Sequence, residues 1–357
     1  MTRELKALTS MRGLAAWAVV LFHVRLSIAG LPPAAEAVLA KGYLAVDFFF
    51  LLSGFVIWLS ASEVLRDEGV RAVPRFLQRR VARIWPLHLF MLGCAVLLAL
   101  VLLATGRAAA QFPWDELPLH LLLLQNWGFT DALSWNDPAW SISCELAAYL
   151  MFPLLVVSVD WRRVPSVVVV SAVVGLLVAL HLLYRLYGAA SLGDAIPRLG
   201  VVRCTLEFAA GTGIGALWLR WRAHGRGIAL AAALLGLALL MAAALGALPE
   251  TLAVPAGFAA LLLALALSAG RAGNVLEVAP LHYLGEISYA TYLGHFLLWF
   301  VFKLVLVGPS GMIGWPLLAL YLLLVLASSV VLYHLVERPA QRWVNRLALP
   351  RPRAAAI

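Results

Sequence analysis

Charged residues are scarce in this sequence, and their scarcity excludes most classes of soluble protein. Only 13% of the 357 residues are charged and 63% are hydrophobic, whereas soluble domains are about a quarter charged and half apolar. Cysteine is rarer still: there are three, none in a CxxC spacing, so neither a zinc site nor a disulfide framework is indicated. The sequence also lacks a P-loop and the internal repeats of many transporters. The composition predicts a polytopic membrane protein.

Long apolar stretches supply the predicted fold. A membrane span needs roughly 20 mostly apolar residues. Ten stretches qualify, at about 12–31, 43–62, 85–105, 139–158, 164–187, 201–219, 228–247, 252–270, 283–306 and 314–336. The prediction is therefore an all-α bundle of about ten transmembrane helices, with one transmembrane domain over residues 1–340 and a basic tail over 341–357. The first stretch is too long for a signal-peptide core and contains His23 and Arg25, so we expect a retained helix.

Basic residues set the expected orientation. Alternate loops hold most of the arginines, and cytoplasmic loops carry such an excess. The net charge of +9 therefore indicates topology rather than nucleic-acid binding, and both termini are predicted to be cytoplasmic. The longest loop on the other side, about 106–138, contains "LPLHLLLLQNWGF". That stretch is too short to span, and we expect it to lie in the membrane interface or to fold back into the protein.

Two ionisable residues share one face of the first predicted span. Arg12 and His23 are eleven residues apart, which returns to nearly the same side of an α-helix about 16 Å further along. One interpretation has Arg12 reaching lipid phosphate and His23 packing with a satisfied hydrogen bond. The other is functional, because ionisable groups inside a membrane usually serve a site.

A carboxylate lies inside the fourth predicted span. Ser141, Glu145 and Tyr149 follow at intervals of four and share a helix face. Glu145 needs a partner or a role in hydrocarbon. Trp140 begins the same span, either as an interface aromatic or as part of a site, and Tyr149 is either a packing residue or functional.

Other polar residues occur at span ends. Asp47 precedes an apolar run that holds Ser53, and it either caps the helix or contributes to a site. In the ninth span Ser288, Tyr292 and His295 share one face.

Arginines cluster before the third span. In "RFLQRRVARIWPLH", Arg79 and Arg83 are four apart with Arg80 beside them. Their planar forks suit phosphate, and a helix N-terminus there would add a favourable dipole. The alternative is ordinary positive-inside topology with lipid headgroup binding. At the end of the tenth span, Glu337 and Arg338 are expected to form a helix-end ion pair.

These residues together indicate proton-transfer chemistry inside the bilayer, on a group brought by an anionic carrier. Two other classes stay open: a transporter or flippase for an acyl donor or lipid-linked sugar, and a nonenzymatic membrane scaffold.

Six motifs in order resemble the membrane acyltransferase family often called acyltransferase type three. They are "MRGLAAWAVVLFH" (11–23), "VDFFFLLSGFVI" (46–57), "RRVARIWPLH" (79–88), "WSISCELAAYLMFP" (140–153), "ISYATYLGH" (287–295) and "ERP" (337–339). The chain departs from the family pattern at His88, where tyrosine is usual, and at Leu146, where a second acidic residue is usual.

The resemblance implies transfer of an acyl group, usually acetyl, from cytoplasmic acyl-coenzyme A to a hydroxyl of a sugar or lipid-linked glycan in the bacterial inner membrane. Acyl-coenzyme A is then a co-substrate, and no permanently bound cofactor or metal is expected. Arg12, Arg79, Arg80 and Arg83 would hold the coenzyme. The acceptor would meet the remaining site candidates, which are Asp47, Ser53, Trp140 and His295.

Catalysis is assigned to His23, Glu145 and Tyr149. A neutral imidazole at His23 would remove the hydroxyl proton, and Glu145 would orient it or stabilise its charged form. Whether the acyl group first rests on His23 or Tyr149 stays open. We expect a cavity open to both sides of the membrane, narrowest near His23, with Glu145 and His295 facing it.

Overall fold

The predicted all-α fold is confirmed. The computed structural model describes residues 5–107, 109–223, 225–270, 274–308 and 310–347, which form helices, loops and one isolated β-bridge between Ile28 and Ile313. The helices are α1 (Lys6–Val24), α2 (Pro33–Leu39), α3 (Ala45–Glu68), α4 (Val73–Ala104), α5 (Leu117–Leu122), α6 (Ala139–Ser158), α7 (Ser166–Leu186), α8 (Ile196–Trp221), α9 (Gly225–Ala244), α10 (Glu250–Ser268), α11 (Ala279–Glu286), α12 (Ser288–Leu306), α13 (Trp315–Leu332) and α14 (Arg338–Arg346). A π-helical turn, Tyr333–Glu337, joins the last two.

Each of the ten predicted spans overlaps one long helix: α1, α3, α4, α6 to α10, α12 and α13. The first span is predicted too far along the chain, because α1 ends at Val24, and the ninth, 283–306, includes the end of the separate helix α11. Eight helical segments of the described chain are long and apolar enough to cross a membrane. One of them, 33–104, contains both α3 and α4, and α8 is not among them. The protein is thus a multi-pass helical bundle, while ten crossings and the side of each terminus stay predictions.

Helix α4 begins at Val73, well before the expected start near residue 85. The prediction counted apolar residues only, whereas the helix continues through its arginines beyond the apolar stretch. Arg80 and Arg83 therefore lie two to three turns inside α4. A helix dipole acts mainly over the first turn, so the expected dipole contribution does not reach them.

Helix α8 lies at the centre of the bundle, in contact with α3, α6, α7 and α10. Glycines permit its closest crossing. A methyl group at Gly54 of α3 would lie 1.9 Å from the Phe208 carbonyl oxygen, and one at Gly211 of α8 would lie 2.0 Å from that of Leu51. Small residues that let backbones approach closely are typical of helix pairs in membranes. This crossing holds α3 and α8 backbone to backbone.

The long loop after α4 folds onto the start of α6. Ser143 Oγ donates to the Leu123 carbonyl oxygen (2.7 Å) and accepts from the Asn126 amide (3.2 Å). The Trp127 indole donates to the Ser143 carbonyl oxygen (3.0 Å). Of the two predicted placements, this packing agrees with a loop that folds back into the protein.

The predicted basic tail is partly helical. Its first residues, 341–346, belong to α14, which packs against α4. The Gln78 side chain donates to the carbonyl oxygens of Val344 (2.8 Å) and Leu347 (2.7 Å). The rest of the tail, 348–357, lies outside the described residues.

We expect Gly211→Ala to destabilise the fold, because the added methyl group would force α3 and α8 apart. Overpacking of this kind costs about 1–3 kcal/mol, occasionally more. The measurement is the thermal unfolding midpoint of purified protein in detergent. Gly93→Ala is the matched control: it lies inside α4 with nothing within 4 Å of the new methyl group, so its midpoint should stay or rise. Equal midpoints for the two variants would contradict the crossing.

Candidate active site

A cavity of about 240 Å³ opens inside the bundle, walled by α1, α3, α4, α6, α12 and α14. Its polar lining comprises Arg12, Ser53, Arg80, Arg83, Ser141, Glu145, Tyr149, Ser288, Tyr289, Tyr292 and Gln341. Six of the eleven predicted site residues are thus brought together from four helices. Small-molecule sites usually measure about 300–1,000 Å³, so this cavity suits a small group or the end of a longer ligand.

Three guanidinium groups line one end of the cavity. Arg12 Nη2 donates to the Gly285 carbonyl oxygen (3.1 Å) and to Ser288 Oγ (3.2 Å). Arg83 is ion-paired with Glu337. The Nε of Arg80 is buried and has no hydrogen-bond partner in the described part of the chain. This end of the cavity therefore retains unused cationic donors, which are the groups that bind phosphate or carboxylate.

Glu337 was expected to form an ion pair with Arg338 at the end of its own helix, but it pairs with Arg83 of α4 instead. Glu337 ends the π-helical turn and is 2% exposed. π-helical turns occur frequently at functional sites, and this one coincides with the residue that meets α4. Arg83 also lies over the Tyr289 ring, 5.2 Å from its centroid. Glu337 neutralises Arg83, so the excess positive charge belongs to Arg12 and Arg80.

Beyond the arginines, the cavity presents an acid, a phenol and a hydroxyl. Glu145 is half-buried and lines the cavity, as expected for a carboxylate inside the bundle. The buried Tyr149 hydroxyl contacts both Glu145 and Ser53. The phenol and the carboxylate are therefore neighbours in the cavity lining. Among the described hydrogen bonds, the His23 imidazole meets Val19 and His295 and not Glu145, so the expected orienting role of Glu145 has no geometry in this structure.

The far end of the cavity is bounded by Ser141 and Tyr292. Their hydroxyl oxygens are 2.9 Å apart, and Phe49 makes an edge contact with the Tyr292 ring at 5.8 Å. Tyr292 lies one helical turn past Ser288, which contacts Arg12. The cavity therefore runs from the arginines to this hydrogen bond.

The two histidines meet beyond that boundary. His23 Nδ1 lies 3.2 Å from His295 Nε2, and the Tyr292 ring is 6.3 Å from the His295 ring. His23 is half-buried, while His295 is fully buried. Neither lines the cavity, which ends near the histidines instead of narrowing around His23 as expected. Tyr292 connects the cavity to the histidines, because its hydroxyl meets Ser141 in the cavity lining and its ring contacts the His295 ring.

Asp47 has a partner that sequence reasoning missed. Arg203 of α8 donates to both of its carboxylate oxygens, from Nε at 2.7 Å and Nη2 at 2.6 Å. The two side chains are 0% and 1% exposed, and neither lines the cavity. An arginine four residues before Glu207 inside the sixth predicted span was the available signal, because charges at membrane depth occur in pairs.

Trp140 and Arg79 also lie outside the cavity lining. Trp140 is buried, with its ring 5.6 Å from the Arg203 guanidinium and 5.9 Å from the Phe50 ring. It borders a second, polar cavity of about 10 Å³ under the long loop, which has room for about one water molecule. Arg79 is exposed.

The helices and the cavity together define a multi-pass membrane protein with an arginine-lined cavity inside its bundle. Residues 5–334 match the family model described as "Acyltransferase domain", acyltransferase type three, and the chain belongs to that family. The resemblance inferred from the six motifs is thereby confirmed. No solved structure matches the chain.

Three curated relatives illustrate the range of the family. The chain is 38% identical over 159 residues to "Acyltransferase MdmB" of Streptomyces mycarofaciens, covering 42% of this chain and 39% of that protein. It is 28% identical over 316 residues to "Exopolysaccharide production protein ExoZ" of Rhizobium meliloti, covering 84% and 90%. It is 26% identical over 195 residues to "O-acetyltransferase OatA" of Staphylococcus aureus, covering 50% and 30%. The matched part is less than half of MdmB and of OatA.

We expect Asp47→Asn to destabilise the protein strongly, because it leaves Arg203 buried without its counter-charge. Breaking a buried ion pair from one side costs about 3–5 kcal/mol. The thermal midpoint in detergent measures the loss, and the double variant Asp47→Asn/Arg203→Met should recover part of it. As a control, Asp131→Asn breaks the exposed pair with Arg198, which should cost at most about 1 kcal/mol. A wild-type midpoint for Asp47→Asn would instead favour the predicted substrate-binding role.

Proposed function

We propose that the chain is a membrane-embedded O-acyltransferase that moves an acyl group, acetyl foremost, from acyl-coenzyme A to a hydroxyl of a sugar or lipid-linked glycan. The observation that carries the proposal is the cavity in which Arg12, Arg80 and Arg83 lie near Glu145 and Tyr149. Two relatives support the chemical class: OatA is named an O-acetyltransferase and ExoZ an exopolysaccharide production protein.

The arginine end of the cavity is the proposed site for the coenzyme phosphates. Arg83 is neutralised by Glu337. Arg12 donates hydrogen bonds to Gly285 and Ser288 from one nitrogen only. Arg80 keeps donors that have no partner in the described part of the chain. Guanidinium forks bind phosphate oxygens bidentately. At about 240 Å³ the cavity suits the thioester and its pantetheine arm, and the nucleotide would remain at the mouth. Amide N–H groups of the arm would donate to Glu145.

The arginine end faces the cytoplasm in this proposal, because the arginine-rich loops and both termini are assigned to that side. Arg12 lies in the second turn of α1, and Gln341 borders the cavity from α14, next to the C-terminus. In this proposal the bundle spans the inner membrane of a bacterial cell and contacts its lipid. Acyl-coenzyme A would therefore enter from the cytoplasm. The acceptor would enter from the opposite side.

His23 is the proposed general base. The acceptor oxygen attacks the thioester carbonyl carbon while its proton passes to the imidazole; the carbon–sulfur bond then breaks, and the coenzyme thiolate takes that proton back as a thiol. General base catalysis of this kind contributes about 10²–10⁴-fold. The thioester must pass the Ser141–Tyr292 hydrogen bond to meet His23, so that bond opens when the donor binds. An intermediate acyl group on His23 or Tyr149 is compatible with the same steps.

Arg80→Gln should raise the KM for acetyl-coenzyme A about 10- to 100-fold, because a hydrogen bond between charged groups is worth about 1.5–3 kcal/mol. The assay follows radiolabelled acetyl-coenzyme A with purified protein in membrane-lipid vesicles. It measures both thiol release and label in the extracted lipid and polysaccharide fractions.

Arg79→Gln is the matched control: it removes the same charge one residue away, at an exposed position outside the cavity lining. Its KM should match that of the wild type. Equal KM changes in the two variants, or lower membrane insertion with no KM change, would mean that the cluster serves topology alone. Release of neither thiol nor label by the wild-type protein would contradict the enzyme and favour a transporter.

A further inference from the structure

We propose that His295 is the positioning residue of the transfer reaction: together with the Val19 carbonyl it holds the Nδ1–H of His23, so that Nε2 carries the lone pair, and it orients the ring. The inference rests on the proposed function, in which His23 is the base, and adds a residue that acts through it. The geometry is a pair of imidazoles from α1 and α12, with His23 Nδ1 3.2 Å from His295 Nε2.

The tautomers follow from the acceptors around the pair. His295 Nδ1 lies 3.1 Å from the Thr291 carbonyl oxygen, and His23 Nδ1 lies 2.9 Å from that of Val19. A carbonyl oxygen can only accept, so each Nδ1 carries a hydrogen. In neutral rings, each Nε2 then has the lone pair. The Nδ1–H of His23 is therefore shared by Val19 and His295 Nε2, and His23 Nε2 is left as the base.

His295 is fixed by groups that do not touch a substrate. It is 0% exposed, its Nδ1 donates to the backbone one turn earlier, and its carbonyl oxygen accepts from the Tyr321 hydroxyl (3.1 Å). Two residues before it, the Leu293 carbonyl oxygen accepts from Asn136 of the long loop (3.0 Å). The ring is thus held through Nδ1, and the backbone of α12 around it is held by Tyr321 and by Asn136 of the loop.

The pairing also stabilises the charged form of His23. When the hydroxyl proton reaches Nε2, the ring becomes an imidazolium and its Nδ1–H becomes a charge-assisted donor to His295 Nε2. Hydrogen bonds with one charged partner are about twice as strong as neutral ones. When the coenzyme thiolate removes the proton from Nε2, the neutral pair is restored, so His295 itself gains and loses no proton. In a Ser–His–Asp triad a carboxylate has this position; here it is a neutral imidazole.

Two variants separate positioning from simple packing. In His295→Gln the terminal amide reaches the place of Nε2 and its oxygen can accept from His23. In His295→Asn the shorter side chain does not reach His23. We expect kcat of the asparagine variant to fall at least about 100-fold, the lower end of the contribution of a general base, with the KM for acetyl-coenzyme A unchanged. The glutamine variant should recover most of that kcat.

His181→Asn is the matched control. This histidine lies on α7 and pairs with Thr251 Oγ1 at 2.7 Å, away from the cavity lining, and kcat should not change.

His23→Ala separates the two proposals. Substantial activity in His23→Ala would overturn the proposed base. An inactive His23→Ala beside a fully active His295→Asn would overturn the role of His295 alone.

A spectroscopic measurement on the wild-type protein decides the matter if the His295 variants do not fold. With ¹⁵N-labelled histidine, NMR in lipid bilayers should show His23 with a protonated Nδ1 and an unprotonated Nε2, and a coupling through the hydrogen bond between His23 Nδ1 and His295 Nε2. The opposite tautomer of His23, or a protonated Nε2 on His295 with no such coupling, would overturn the proposal.

Discussion

A charge inside hydrocarbon must have a partner, and this constraint organises the whole bundle. An isolated ion there costs several kcal/mol even after relaxation. The central helix α8 contains an arginine and a glutamate, and its arginine is held by both oxygens of Asp47. Beside the cavity, Arg83 of α4 meets Glu337, the last residue of the π-helical turn. These two pairs connect helices that are distant in sequence.

The same constraint marks the cavity. Glu207 of α8 is buried with neither carboxylate oxygen hydrogen-bonded in the described part of the chain, and it lies outside the cavity. The cavity itself holds Arg80, the remaining donors of Arg12, and Glu145, which is beside Tyr149 and has no cation within ion-pair distance among the described residues. Polar groups that have no partner in the protein must be satisfied by water or by a ligand in the cavity. An anionic carrier would satisfy the arginines, and its neutral arm would pass the carboxylate and the phenol.

How much was predictable differs from residue to residue. Spacing along one helix correctly placed Glu145 and Tyr149 on a common face, and three of the four predicted arginines line one cavity with them. Which residues pair across helices was not readable from local spacing: the partners of Asp47 and His23 lie 156 and 272 positions away. Arg203 inside a predicted span signalled only that some acidic partner existed. Helix ends were also misjudged where polar residues continue a helix, as in α4, because hydropathy reports the membrane and not the hydrogen-bonded helix. The family motifs led to the expected acyl-transfer reaction, and only the packing of the helices shows which residues are in contact.

The central claim is that one path leads from the arginine-lined cavity to His23. Its most direct test is an experimental structure with a non-hydrolysable acyl-coenzyme A analogue bound. We expect the phosphates against Arg12 and Arg80, the Ser141–Tyr292 hydrogen bond broken, and the acyl carbonyl carbon within reach of an oxygen that is hydrogen-bonded to His23 Nε2. An analogue bound elsewhere on the bundle, or an acyl group that stops at Glu145 with the Ser141–Tyr292 bond intact, would contradict it.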